Sequence, residues 1–280
     1  NDSLVGWWRF DVLNSSGEGV IDESVYGNNG TLVGQAYQTV EGKFGKAIKL
    51  DGNGDYVTVN GVTGDFNTTN GAISLWVKFD ASDLSDGALH SVMEIGSSTV
   101  TTDFIGLRKS AANKFILRNR VGGSNNDAEI GDMSGFADWQ HIVGVWNSTN
   151  ISIYQNGTLI DTNDKGNDIT ASLDQAFIGA DAQTAPGGFF YGTIDDILIF
   201  NRSLSALEVQ GLYANKSSEY LEVNYTDLSD GVYNFTAYAV DEAGNKNQTE
   251  ERNVTVDTTP PTVNITMLYP TGDINVPYLK

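Results

Sequence analysis

Residues 192–214 read GTIDDILIFNRSLSALEVQGLYA. Ile194, Ile197 and Ile199 make an apolar run bounded by Gly192 on one side and by Asn201 to Ser203 on the other, which predicts a strand. A helix follows directly. Ser205 and Glu208 stand in the S-x-x-E spacing of a capping box, and Leu204, Leu207 and Leu212 recur near helical spacing. Asp195 and Asp196 sit inside the apolar run. Buried carboxylates need partners, and a divalent cation is one that oxygen ligands suit.

Upstream of this stretch the chain reads as one strand after another. Residues 4–12 carry Trp7, Trp8 and Phe10; residues 46–50 run through the turn Asp51-Gly-Asn-Gly-Asp55 into residues 56–59. In residues 72–79, Ile73, Leu75, Val77 and Phe79 alternate with Ser74, Trp76 and Lys78. Residues 139–146 and 151–154 flank a turn at 147–150, and Asn156-Gly157 is a second hairpin signal. Only Pro186 precedes Pro260. Many short strands with one capped helix predict an all-β sandwich of jelly-roll type.

The order of these pieces is similar to a known family. LVGWWRFD, DESVYGNNGTLVG, GKFGKAIKLDGNGDYVTV, AISLWVKF, WQHIVGVW, ISIYQNGTLI, FIGA and YGTIDDILIFNRSLSALEVQGLY together resemble the laminin-G-like, concanavalin A-like lectin/glucanase fold over residues 4–214. The resemblance implies two stacked antiparallel sheets, with the first strand beside the last. It also implies a structural calcium ion between an early loop and the closing strand, held by Asp22, Asn28 and Asp195, with Asp51 as a weaker addition. Backbone carbonyls near Tyr26 and Gly27 would complete that set. The alternative that needs no metal is that Asp195 caps backbone amides or pairs with Arg9 or Arg202.

Past Tyr213 the texture changes. LSDGVYNFTAYAVDEAGN resembles the later strands of immunoglobulin-like or fibronectin-III-like modules, in which Tyr233, Phe235, Ala237 and Ala239 would line a core. Only three strands fit before Asp257, at residues 220–225, 232–240 and 252–256, where a whole sandwich takes about seven. The expected organisation is therefore a jelly roll over 1–214, a partial Ig-like module over 215–257, and a proline-bearing linker with one further strand over 258–280.

The chain of 280 residues carries 36 acids against 16 bases, a net charge of −20, which argues against nucleic acid as a partner. It has no cysteine and only His90 and His141, so disulfides are excluded and a histidine-based metal site or triad has little to build on. No apolar run is long enough to span a membrane. The start at Asn1, with neither methionine nor a signal-like segment, reads as a mature protein or an internal piece of a longer one.

Fourteen N-x-[ST] sequons are present, against roughly four expected from the Asn, Ser and Thr content. Besides Asn1 they begin at Asn14, Asn29, Asn67, Asn147, Asn150, Asn156, Asn201, Asn215, Asn224, Asn234, Asn247, Asn253 and Asn264. The excess predicts an N-glycosylated extracellular or cell-surface protein, and together with the acidity and absence of cysteine it points toward an archaeal surface.

No catalytic residue is expected. Glycosidases resembling this fold place E-x-D-x-x-E or E-x-D-x-E on one strand; here no Glu is followed by Asp two residues on, and Glu94 and Glu129 stand alone. Phe189, Phe190 and Tyr191 form the most aromatic loop-like stretch and are the candidate sugar-binding residues; Trp76 also falls on the polar face of its own strand. The functional expectation is a non-enzymatic structural or adhesive protein of a surface layer, sheath or filament, calcium-stabilised, and self-associating by donation of the strand at 262–269. The alternative is a lectin-like module of a larger secreted protein.

Overall fold

The computed structural model describes residues 3–183, 185–217, 226–240 and 246–259. Two compact units emerge, residues 1–222 and 223–280. The first therefore keeps the helix and ends a few residues later than the sequence boundary at 214.

In chain order the strands of the first unit are β1 (Leu4–Trp8), β2 (Gly19–Val20), β3 (Gly30–Val33), β4 (Tyr37–Thr39), β5 (Ala47–Asp51), β6 (Tyr56–Thr58), β7 (Gly71–Phe79) and β8 (His90–Gly96). They continue as β9 (Phe104–Lys109), β10 (Phe115–Val121), β11 (Ser124–Ile130), β12 (Gln140–Trp146), β13 (Asn150–Gln155), β14 (Thr158–Asp164), β15 (Gln175–Ile178) and β16 (Tyr191–Phe200). A helix, α1 (Ala206–Ser217), closes the unit. One sheet runs β14-β13-β12-β7-β16-β5-β4, with β1 also paired to β16; the other runs β11-β10-β9-β8-β15-β6-β3-β2. This is the jelly-roll sandwich, and the first strand does lie beside the last, with Trp8 opposite Ile197 and Leu4 opposite Phe200.

The alternating apolar residues build the core between the sheets. Ile73, Leu75, Val77 and Phe79 of β7 meet Ile95, Ile105 and Leu117 of the opposing sheet, and Ile194, Ile197 and Ile199 lie among them. Both hairpins form as their turns predict. β12 pairs with β13 across residues 147–149, and Asn156 and Gly157 adopt φ of 50° and 78°, the left-handed pair a two-residue turn between β13 and β14 requires. The opening strand is shorter than its aromatic run, because Phe10 turns to φ 62° and breaks the extended backbone after Trp8.

β16 is the strand about which this unit is organised. Its first half pairs with β5 and its second half with β1, while β7 flanks it throughout. The change of partner falls at Asp195 and Asp196. Asp196 takes φ 50°, and the register against β7 slips there, which is a β-bulge. Part of the outer face of this sheet is covered by α1. Leu204 and Val209 pack on Val143, Val145, Leu198 and Phe200. The capping box is reciprocal: Ser205 N donates to Glu208 Oε2 at 2.8 Å, and Glu208 N donates to Ser205 Oγ at 3.3 Å. Leu207, expected on the buried face, is 64% exposed; Val209 takes the buried place instead.

Trp76, predicted on a polar face, is buried. Tyr213 of α1 stacks on it at 5.9 Å, His141 lies 5.1 Å away, and Phe44 meets it edge-on at 5.6 Å. A polar partner on the same strand thus does not mark a solvent face when a helix lies across the sheet.

In the second unit, β17 (Gly231–Phe235) pairs with β20 (Arg252–Val256), and β18 (Tyr238–Val240) pairs with β19 (Lys246–Gln248). Tyr233 Oη donates to the carbonyl of Ser229 at 2.9 Å, the local bond that fixes the corner before a strand in Ig-like sandwiches. Phe235, expected to line a core, is half exposed, as are Val232 and Val254, because two-stranded pairs alone bury neither face. The expected strands at 220–225 and 262–269 lie outside the described residues.

Candidate functional site

Four strands that the sequence reading passed over, β8 to β11, carry a continuous polar face on the outside of the second sheet. Register sets the order. Glu94 of β8 lies between Gly106 of β9 and Phe177 of β15; Arg118 of β10 lies between Gly106 and Asp127 of β11. Alternation puts Leu107 and Leu117 in the core and turns Arg108 and Arg118 outward.

At the centre Glu94 is fully buried. Its Oε2 is 3.3 Å from Arg108 Nη1, and its Oε1 accepts from Ala182 N at 3.1 Å. Arg108 Nη2 reaches Asp181 at 3.0 Å, to which Ser91 Oγ also donates at 2.5 Å. Burial pushes the Glu94 carboxyl up to about 7 against the pull of Arg108, with Asp181 adding to the rise. Two carboxylates around one guanidinium have the ingredients of acid–base chemistry. No substrate reaches them, however, because Glu94 is sealed beneath the loop joining β15 to β16. The cluster instead anchors that loop to the sheet.

Beside the cluster lies an aromatic patch. Tyr56 is 5.1 Å from Phe177 and 6.3 Å from Phe189, ring centre to centre, and both Tyr56 and Phe189 are partly exposed. On the other side Arg118 forms a two-pronged pair with Asp127 at 2.7 and 2.6 Å, and Arg108 lies 4.9 Å over the ring of Phe104. The face thus offers apolar ring surface next to fixed donors and acceptors.

The three predicted sugar-binding aromatics part company here. Phe189 joins this patch. Phe190 is fully buried in the core, edge-on to Phe79 at 4.7 Å, and Tyr191 opens β16 on the other sheet. One residue of strand alternation separates a surface aromatic from a core one. Glu94, Arg108, Asp181 and Arg118 were missed; the legible signal was the L-R-N-R alternation at 117–120 before the Gly122-Gly123 turn.

The predicted calcium ligands mostly face protein donors and acceptors. Both oxygens of Asp22 are taken up by donors: Oδ1 accepts from Trp7 N and Ser24 N, and Oδ2 from Ser24 Oγ and Asn28 N, at 2.6 to 2.8 Å. Asn28 Nδ2 donates to the carbonyl of Val5. Asp51 accepts from Asn53 N within its own turn. Asp195 accepts from Phe44 N at 2.9 Å through Oδ2, while its buried Oδ1 has no hydrogen-bond partner among the described residues. Burial, with Asp196 and Asp11 adding, pushes its carboxyl up to about 7. Asp22 is thus satisfied by protein donors, which close the 22–29 loop, whereas Asp195 keeps one buried oxygen without such a donor. The proposed ion pairs of Asp195 give way, since Arg9 pairs with Asp11 and Arg202 with Glu208. Among the described residues a different group, Asp83, Asp86 and His90, is close enough to hold a metal, but the buried Lys109 ammonium already sits 2.6 Å from Asp86.

Of the sequons, Asn14, Asn29, Asn67, Asn147, Asn150, Asn234 and Asn253 are exposed. Asn201 is half-buried. Asn156 is half-buried too, with its Nδ2, the glycan-accepting atom, donating to Gln140 Oε1 at 2.8 Å. The side chains of Asn215 and Asn247, and all of Asn224 and Asn264, lie outside the described residues.

With fold and face in view, the comparisons give the class. The model of the concanavalin A-like lectin/glucanases superfamily matches residues 51–210, and the chain belongs to that family. A bacterial Ig-like domain matches residues 204–258. Among curated proteins no sequence relative matches the chain. Similar solved structures include domain 4 of AbnA, a GH43 extracellular arabinanase from Geobacillus stearothermophilus, in complex with arabinotriose. It is 19% identical at a TM-score of 0.59, and the match covers 75% of this chain and 98% of that one. The binding domain of botulinum neurotoxin serotype G is 17% identical at 0.61, covering 77% and 51%. That of Paraclostridial Mosquitocidal Protein 1 is 17% identical at 0.58, covering 76% and 52%. The chain spans about half the length of these two toxin domains. These neighbours are binding domains of larger proteins. No helix among the described residues is long and apolar enough to cross a membrane.

Proposed function

We propose that the jelly roll is a non-catalytic, glycan-binding module of a larger secreted or surface protein. The observation that carries this reading is the outer face of the second sheet, where Tyr56 and Phe189 offer partly exposed ring surface on the same face as the Arg118–Asp127 ion pair. Sugar recognition uses that combination: aromatic rings pack on the apolar face of a pyranose or furanose, and charged groups already fixed by ion pairs meet its hydroxyls without further ordering cost. The arabinotriose bound by the AbnA domain supports the class of ligand. The sealed position of Glu94 supports binding without hydrolysis. The sequon excess supports an extracellular setting.

Titration calorimetry against neutral arabino-, gluco- and galacto-oligosaccharides tests the reading. One of these series binds, and Phe189→Ala or Tyr56→Ala weakens it about tenfold or more, the effect of removing one stacked ring. Binding that ignores both substitutions would assign the ligand to another surface, and absence of binding across the series would remove the reading.

The adhesive, self-assembling role is the second reading. Its support is the apolar surface left on the Ig-like unit, where Val232 is 66% and Phe235 50% exposed. Removing residues 258–280 abolishes assembly in that case. Assembly that persists in the truncated protein sinks it.

A further inference from the structure

On the outer face of the opposite sheet a row of paired residues crosses four strands. Tyr37 of β4 lies opposite Lys49 of β5, Lys49 opposite Thr193 of β16, and Thr193 opposite Lys78 of β7. Residues in register project to the same side, so these four form one stripe. Tyr37 at the edge is 56% exposed. Between Lys49, Lys78 and Thr193 opens a cavity of about 230 Å³, also lined by Glu41 and Asp80. That volume is below the size of drug-binding pockets and suits a single sugar ring.

The charges in the cavity are unevenly spent. Asp80 is committed to capping: it accepts from Ser82 N at 3.1 Å and Ser82 Oγ at 2.8 Å, and these bonds hold its carboxyl below the usual range. Lys49 acts on Asp80 through space and lies 5.1 Å from the centre of the Tyr191 ring. Neither Lys49 nor Lys78 closes an ion pair among the described residues, whereas Lys109, Lys114 and Lys165 each do. In a chain of 16 bases against 36 acids, two lysines that flank a threonine without closing a salt bridge, beside Glu41 and an Asp80 already committed to Ser82, leave cationic groups for an anionic ligand.

We infer that this cavity is a binding site for a carboxylated sugar, a uronic acid residue of an acidic polysaccharide. The uronate carboxylate lies between the Lys49 and Lys78 ammonium groups, Thr193 Oγ1 and Glu41 meet ring hydroxyls, and the neighbouring sugar packs on Tyr37. The geometry separates this site from the aromatic and arginine face, which is on the other sheet. The two readings therefore stand or fall separately.

The test uses the whole chain and trimers of galacturonate, glucuronate and mannuronate, each beside its carboxyl-reduced neutral counterpart, in titration calorimetry at 50 and 300 mM salt. At least one uronate trimer binds. Its carboxyl-reduced counterpart binds about tenfold more weakly or worse, and affinity falls as salt rises. The double variant Lys49→Ala/Lys78→Ala loses the uronate trimer, while Phe189→Ala on the other sheet keeps it. Both lysine substitutions leave the core untouched, and an unchanged melting temperature verifies that the variant is folded. The inference is overturned if no uronate trimer binds, if the double variant binds as the parent does, or if the carboxyl-reduced trimer binds equally well.

Discussion

Asp195→Asn is the perturbation that asks most of this structure. Asp195 is fully buried on β16, accepts one hydrogen bond from Phe44 N at 2.9 Å, and feels Asp196 and Asp11 nearby. Burial holds its carboxyl at about 7, against 3.8 in the unfolded chain. The folded state therefore binds the proton more tightly. Its stabilising contribution is complete below about pH 4 and is lost as pH rises through 7. A displacement from 3.8 to about 7 amounts to about 4 kcal/mol, of which roughly 3 kcal/mol disappears between pH 5 and pH 8. Glu94, raised from 4.5 to about 7, adds a similar loss in the same window. Glu208 acts elsewhere: Arg202 holds it at about 2, so its contribution is present above its unfolded value of 4.5 and fades only in strong acid. Urea unfolding at pH 5 and pH 8, at fixed ionic strength, reads the difference. The parent protein loses stability across that interval. Asp195→Asn, whose amide oxygen still accepts from Phe44 N, removes about half of the loss, and Glu94→Gln removes much of the rest. The reasoning fails if Asp195→Asn keeps the full parental loss. It fails differently if the parent gains stability from pH 5 to 8 and EDTA erases the gain, which is the signature of a carboxylate ionised on a cation.

Further outcomes follow from other parts of the molecule. EDTA leaves the melting temperature unchanged, because the hydrogen bonds on Asp22 close the 22–29 loop; Asp22→Ala lowers stability by about 3 kcal/mol in chemical denaturation by leaving buried N–H donors unpaired. Phe190→Ala lowers stability by about 3 to 5 kcal/mol, since its ring is fully buried against Phe79, whereas Phe189→Ala lowers it by less than about 2. Ser205→Ala removes one arm of the capping box and lowers stability by about 1 kcal/mol in the same assay. In a host that N-glycosylates the chain, intact-glycopeptide mass spectrometry finds Asn147 occupied and Asn156 bare. Asn147 is exposed and accepts from Thr149 N and Asn150 N through Oδ1, whereas Asn156 spends Nδ2 on Gln140.

What the sequence made legible was whatever depends on neighbours along the chain. The apolar alternation of β7, the Asn156-Gly157 turn and the Ser205–Glu208 box are all local patterns, and all three form as written. The acids of β16 illustrate the limit. Their placement in an apolar run marked them as costly, but the reason for tolerating them is a change of strand partner, from β5 to β1, which is a fact of pairing. The same limit hid both candidate faces. Arg108 and Glu94 are 14 residues apart in sequence, and Lys49, Lys78 and Thr193 come from three distant segments. Each set becomes one surface only when β8 to β10, or β5, β16 and β7, settle into register. Trp76 makes the converse point: a local pattern that placed it among polar residues was right about the strand, yet α1 later in the chain covers that face with Tyr213. A buried polar row results, in which Asp195 lies opposite Trp76 and Trp76 opposite His141. Burial drives the His141 ring down to about 3 while it raises Asp195, so both are neutral near pH 6. Two charges that would have been intolerable beneath the helix are each discharged by the burial that α1 and Phe44 impose. The fold therefore keeps Asp195 on its closing strand by neutralising it as it closes, and the pH dependence of Asp195→Asn measures that step directly.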